Sequence, residues 1–218
     1  MNHSSTHFVP ATLPVRIFIA ATGLTLSPLA SAHHAMGGRT PSTLFEGLLS
    51  GIAHPVIGLD HLAFLLVAAL LTVTLKGTAR FLVPLAFVGA TVAGTLYHIA
   101  AAALPMTETL VALSALLGGV AVLLLKRSLP AMLVGTLFAG VGIFHGYAYG
   151  ESIVGAEQTP LLSYLLGFAA VQYAIIVGTG MALARVGRRS ARLQRLAIGT
   201  GAALAALTGA VFLGLGLA

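Results

Sequence analysis

The 218-residue chain contains no cysteine, which excludes disulfides, thiolate metal sites and cysteine nucleophiles. Tryptophan is absent as well, and methionine is held to five residues, too few to line a thioether path for a soft ion such as Cu(I). Charge is scarce: 7% of residues are Asp, Glu, Lys or Arg, against about 25% in an ordinary soluble domain. A chain so poor in charge cannot clothe its surface for water, so its solvent is lipid. No G-x4-GK[ST] motif occurs, so ATP is not a direct drive. No internal repeat relates the two halves, and no linker or second domain interrupts the chain.

What is present is apolar. Hydrophobic residues make up 58% of the chain, with a mean hydropathy of +1.01. Residues 1–32 read as a signal peptide: Arg16, an apolar run from Ile17 to Leu26, Pro28, then Ala30-Ser31-Ala32 as the cleavage site. Residues 33–218 form a single transmembrane domain. A bilayer core of roughly 30 Å needs about 20 apolar helical residues, and six spans satisfy this, near 56–75, 81–104, 109–125, 129–149, 160–184 and 195–217. The fold class is therefore all-α, a polytopic membrane helix bundle. One helix from Leu44 to Leu75 would run about 48 Å. Pro55 supplies a break, so 43–53 is expected to lie along the membrane surface and the first span to begin at Pro55.

The formal charge of +6 suggests nucleic acid only until the basic residues are located. Lys76, Arg80, Lys126, Arg127, Arg185, Arg188, Arg189, Arg192 and Arg195 fall in alternate joining loops, whereas the intervening loops carry Glu108, Glu151 and Glu157. That is the charge asymmetry of an inner-membrane protein with both termini outside, and no nucleic-acid partner is expected. A signal peptide demands the same side for the mature amino terminus.

Ionisable residues inside spans mark sites or pathways. His54, Asp60, His61, His98 and His145 lie in or beside spans, with Glu151 just beyond one. With the first span entering from outside and the second and fourth leaving, all six lie at the outer membrane level and converge if those spans pack together. His54, Gly58 and His61 share a helix face at i, i+4 and i+7, and Gly58 leaves room between the imidazoles. Asp60 points toward a neighbouring helix and suits an acceptor that orients an imidazole. Gln172 reads as an interhelical hydrogen bond, and Gly199, Gly209 and Gly214 read as packing. Imidazole and carboxylate without thiolate suit nickel, cobalt, zinc or Cu(II). Cleavage after Ala32 would expose His33 and His34, where an α-amine and imidazoles form a metal-capture site.

The run His54-Pro55-Val56-Ile57-Gly58-Leu59-Asp60-His61 resembles the HPxxGxDH signature of the HupE/UreJ family. His145-Gly146-Tyr147-Ala148-Tyr149-Gly150-Glu151 is similar to its second motif, HGxAHGxE, and departs from it at Tyr149. The resemblance covers the mature chain. It implies a nickel or cobalt permease that works with hydrogenase or urease maturation proteins, with the metal as cargo and no permanent cofactor. A divalent ion gains roughly 4.6 kcal/mol in crossing 100 mV, enough for about thousandfold accumulation. A transporter is thus expected, not an enzyme. Two other classes fit the same residues: an intramembrane metal-dependent hydrolase, and an accessory protein that holds metal without moving it.

Overall fold

The computed structural model describes residues 39–100, 104, 106–125 and 128–216. The signal-peptide reading, His33 and His34 lie outside the described residues, as do Lys126 and Arg127. Among the described residues seven α-helices follow one another: α1 (Leu44–Ile57), α2 (Leu59–Thr72), α3 (Ala79–Ala100), α4 (Thr107–Leu124), α5 (Ala131–Gly150), α6 (Gln158–Arg189) and α7 (Ala191–Gly216), with a 3-10 turn, Glu151–Ile153, after α5. No strand occurs among the described residues. Helices are what lipid permits, because a helix satisfies its own backbone polar groups where no water can. Helices α3 to α7 are each long and apolar enough to cross a membrane, and α1 with α2, bent by 75°, passes the same test as a pair, as a broken span or a re-entrant loop. The protein is a multi-pass membrane helix bundle.

Three helix pairs are built on glycine. In α1, a Cβ at Gly47 or Gly51 would strike the Pro160 or Tyr164 carbonyl of α6. In α5, one at Gly142 would come 2.8 Å from the Phe87 carbonyl oxygen, and one at Gly146 would strike that of Thr91, both in α3. Gly119 of α4 meets Ala202 and Ala206 of α7, and Gly209 of α7 meets Ala112 and Leu116. Small residues let backbones approach where lipid offers no hydrophobic drive between helices. The order of these contacts along each helix gives direction. It rises together in α1/α6 and in α3/α5, which are parallel pairs, and runs oppositely in α4/α7. Alternate crossing by six spans requires these same relative directions. The glycines of the last span divide: Gly209 packs, but Gly199 and Gly214 have open space where a Cβ would stand, with nothing within 4 Å, so the packing expected of them is corrected.

Helix α2 lies at the centre. Ten of its 14 residues are buried, and Val67 meets Gly118 of α4, Leu70 meets Gly201 of α7, and Thr72 meets Gly180 of α6. Its mostly apolar circumference is that of an enclosed helix. By contrast α1 buries Gly47, Ser50, Gly51 and His54 and exposes Leu44, Phe45 and Leu49. Polar inside and apolar outside is the pattern for lipid, and α1 with α2 forms a broken span or a re-entrant loop. The break expected at Pro55 is corrected: Pro55 is inside α1, and the break falls at Gly58, whose ψ of 93° leaves the helical region. Proline removes one backbone bond, which a membrane helix tolerates when its neighbours hold it, and α6 holds α1. The basic loop expected after the fifth span is also corrected. Arg185, Arg188 and Arg189 continue α6, and Ser190 alone separates α6 from α7. Its hydroxyl accepts from Leu193 N–H at 3.3 Å and caps the new helix.

Candidate functional site

The break at Gly58 ends α1 and starts α2 within a few residues, so His54 leaves the last turn of one helix and His61 the first turn of the next. Their ring centroids are 5.7 Å apart. The expected i, i+7 face does not exist, because the helix is not continuous. The bend brings the two imidazoles together instead. A Cβ at Gly58 would stand 2.8 Å from His61 Cδ2, so the glycine both permits the break and clears the ring. His145 of α5 completes the group, with its centroid 5.0 Å from that of His61. His54, His61 and His145 are all buried, at 3%, 0% and 0% exposure.

One pattern of protons satisfies these contacts together, taken with each hydroxyl donating to its backbone carbonyl. Ser114 of α4 donates to the Val111 carbonyl at 2.6 Å, so toward His145 Nε2, at 2.9 Å, its oxygen is the acceptor. His145 therefore carries its proton on Nε2 and a lone pair on Nδ1. His61 Nδ1–H donates to that lone pair at 2.9 Å, which puts the His61 lone pair on Nε2. His54 is fixed in the same way. Tyr164 donates to the Tyr149 carbonyl at 2.7 Å and Ser152 to the same oxygen at 3.2 Å. Both hydroxyls then accept from His54 Nδ1–H, at 2.9 and 2.8 Å, and the His54 lone pair also lies on Nε2. Neutral imidazoles with defined lone pairs are what a borderline divalent ion binds.

Tyr149 packs between the two rings, 4.2 Å from His61 and 5.0 Å from His54. It is fully buried, and its hydroxyl has no hydrogen-bond partner among the described residues. Asp60 is 1% exposed, and its Oδ1 accepts the His61 backbone N–H at 2.8 Å. The carboxylate thus holds the first turn of α2, where negative charge suits the helix end, and reaches His61 through its backbone.

His98 and Glu151 lie elsewhere. Positions 145 and 149 occupy one face of α5 and 147 the opposite one, while Glu151 follows in the 3-10 turn. His98 Nδ1–H donates to the Tyr147 carbonyl at 2.7 Å. With Glu108, Tyr147 and Glu151 it lines a separate cavity of about 310 Å³. The expected convergence of all six residues on one pocket is therefore corrected: His54, His61 and His145 form one buried group with Asp60 beside it, and His98 and Glu151 line a second cavity together with Glu108. Among the described residues no three His, Asp or Glu side chains are grouped to hold one ion. The buried group is a row of pairwise contacts.

Sequence reasoning missed Ser114 and the Ser152–Tyr164 pair. Ser114 is the one polar side chain of α4 beyond its first turn, a signal that was available. Ser152 and Tyr164 gave none, as each falls near a helix end where polar residues are ordinary. Gln172 meets expectation: it is fully buried and donates across to Thr91 of α3 at 3.4 Å.

Comparison with known proteins agrees with this architecture. Residues 20–212 match the family model described as HupE / UreJ protein. The chain is 31% identical over 201 residues to Protein HupE of Rhizobium leguminosarum bv. viciae, covering 91% of this chain and 97% of that one. No solved structure matches. The chain belongs to the HupE/UreJ family.

Proposed function

With that membership as the premise, we propose that the protein is a permease for a divalent transition metal, nickel or cobalt, that supplies maturation of a metalloenzyme such as a hydrogenase or urease. It is a transporter and not an enzyme, sits in the inner membrane, and has both termini on the periplasmic side. The observation that carries the reading is the buried group of His54, His61 and His145, drawn from three helices to the break in a membrane span. Three imidazoles at this depth are costly unless used, and broken helices in transporters gather where cargo binds.

An ion enters at the outer cavity, where His98 presents its Nε2 lone pair beside Glu108 and Glu151. It passes to His54 and His61, whose lone pairs both lie on Nε2. At metal–nitrogen distances of about 2.0–2.1 Å, rings 5.7 Å apart can share one ion. The His61–His145 hydrogen bond, made through the two Nδ1 atoms, closes the row beyond them and leaves the His61 Nε2 side to the ion. Pairwise ligation suits transport, since an ion must leave each site as readily as it enters. Membrane potential drives the cation inward.

The test is radiolabelled nickel uptake by cells expressing the protein, with cobalt as competitor. His98→Ala should raise the half-saturating concentration several-fold while leaving the maximal rate within about twofold, because the outer cavity precedes the crossing. A maximal rate that collapses with unchanged half-saturation would remove His98 from the entry step.

A further inference from the structure

At the opposite end of the bundle from the histidines, a cavity of about 180 Å³ opens between the end of α2, the start of α3 and the end of α6. Its lining includes Thr72, Phe81, Gly180 and three arginines, Arg80, Arg185 and Arg188. All five acids of the chain are distant from it. Glu46, Asp60 and Glu108 stand in the first turns of α1, α2 and α4, and Glu151 and Glu157 flank the turn between α5 and α6. Three guanidinium groups thus share one cavity with no carboxylate of the described chain near enough to balance them.

Helix ends explain only part of this. Arg188 is in the last turn of α6, where a cation complements the helix dipole. Arg80 is the second residue of α3, at the end where the dipole repels a cation, and its guanidinium is held over the Phe81 ring at 5.1 Å. An arginine cluster and an aromatic side chain between membrane helices select a phosphate with an apolar tail beside it. The volume is below the roughly 300–1,000 Å³ of pockets that enclose drug-sized ligands, so it takes a headgroup and leaves acyl chains in the bilayer.

We propose that this cavity binds the phosphate of an anionic phospholipid at the basic face of the membrane, tying the break-bearing helix α2 to α3 and α6. The test uses the full chain purified in detergent, with phosphatidylglycerol, phosphatidylcholine or inorganic phosphate added, read by thermal unfolding and by native mass spectrometry. Phosphatidylglycerol should raise the wild-type midpoint by about 2–4 °C and remain as an adduct. R80Q/R185Q/R188Q should lose both effects. R189Q/R192Q/R195Q, with the same change in charge, should keep them. If the pocket variant fails to fold, Arg80→Gln alone should weaken phosphatidylglycerol retention about tenfold. Equal shifts from phosphatidylcholine, equal losses in the two triple variants, or unchanged retention in Arg80→Gln would overturn the site. An equal shift from inorganic phosphate would overturn its assignment to lipid.

Discussion

Ser114 shows how one small side chain can set the chemistry of two larger ones. With its hydroxyl donating to the Val111 carbonyl it accepts from His145, and that choice propagates to His61. Removing it should leave insertion intact, since the change makes α4 more apolar. Ser114→Ala should reduce metal uptake about 10–100-fold, the usual range for losing a group that orients a metal-binding imidazole. Uptake at the wild-type rate in a well-expressed variant would show that the tautomers are not fixed through this contact. Asp60 makes a parallel case through the backbone. Asp60→Asn keeps an oxygen for the His61 N–H but loses the charge at the start of α2, so a smaller deficit than that of His61→Ala is expected in the same assay. The histidines and Asp60 were legible because ionisable residues inside apolar spans stand out. Ser114, Ser152 and Tyr164 were not, because a hydroxyl costs little at any depth and its partner cannot be known before helices are paired.

Among the elements, the α1–α2 break organises the site. Hydropathy and charge come within about five residues of the ends of helices α3 to α7, since lipid demands a minimum apolar length, but they start the first span at 56, where the bent pair begins at Leu44. They misplaced the break, because Pro55 is the stronger local signal and Gly58 the weaker. Tertiary packing decided between them: the Gly47 and Gly51 face binds α1 to α6 and carries the helix past the proline. Gly58 has a negative φ of −71°, so alanine is allowed there by its backbone, and only the contact with His61 opposes it. Gly58→Ala should therefore yield a folded protein with impaired uptake, whereas Gly51→Val, driven against the Tyr164 carbonyl, should lower stability by at least about 1–3 kcal/mol. Thermal unfolding of the two purified variants separates these outcomes. An unfolded Gly58→Ala protein would mean that the glycine serves the bend and not the ring. The central position of α2 was not legible either. Its composition matches that of the other spans, and only the three glycine-built pairs around it reveal the enclosure.

For the whole molecule, the parallel α1/α6 and α3/α5 pairs put the acids at one end and the arginines of α3, α6 and α7 at the other. The absence of cysteine makes this directly measurable. A cysteine at Ser190 should react with an impermeant maleimide only in inside-out vesicles, and one at Gly155 only in right-side-out cells; labelling of both from the same side would break the alternation. Charge distribution is what points to this orientation, but neither charge nor hydropathy could divide the polar residues into a buried histidine row and a second cavity. The permease reading depends on that row. Its most direct test is nickel flux into proteoliposomes under an imposed potential, comparing wild type with His54→Ala, His61→Ala and His145→Ala at equal reconstitution. Potential-dependent flux is expected for the wild type and at least about 100-fold less for each variant. Wild-type flux in all three, or none in the wild type despite metal binding, would contradict a permease built on these histidines.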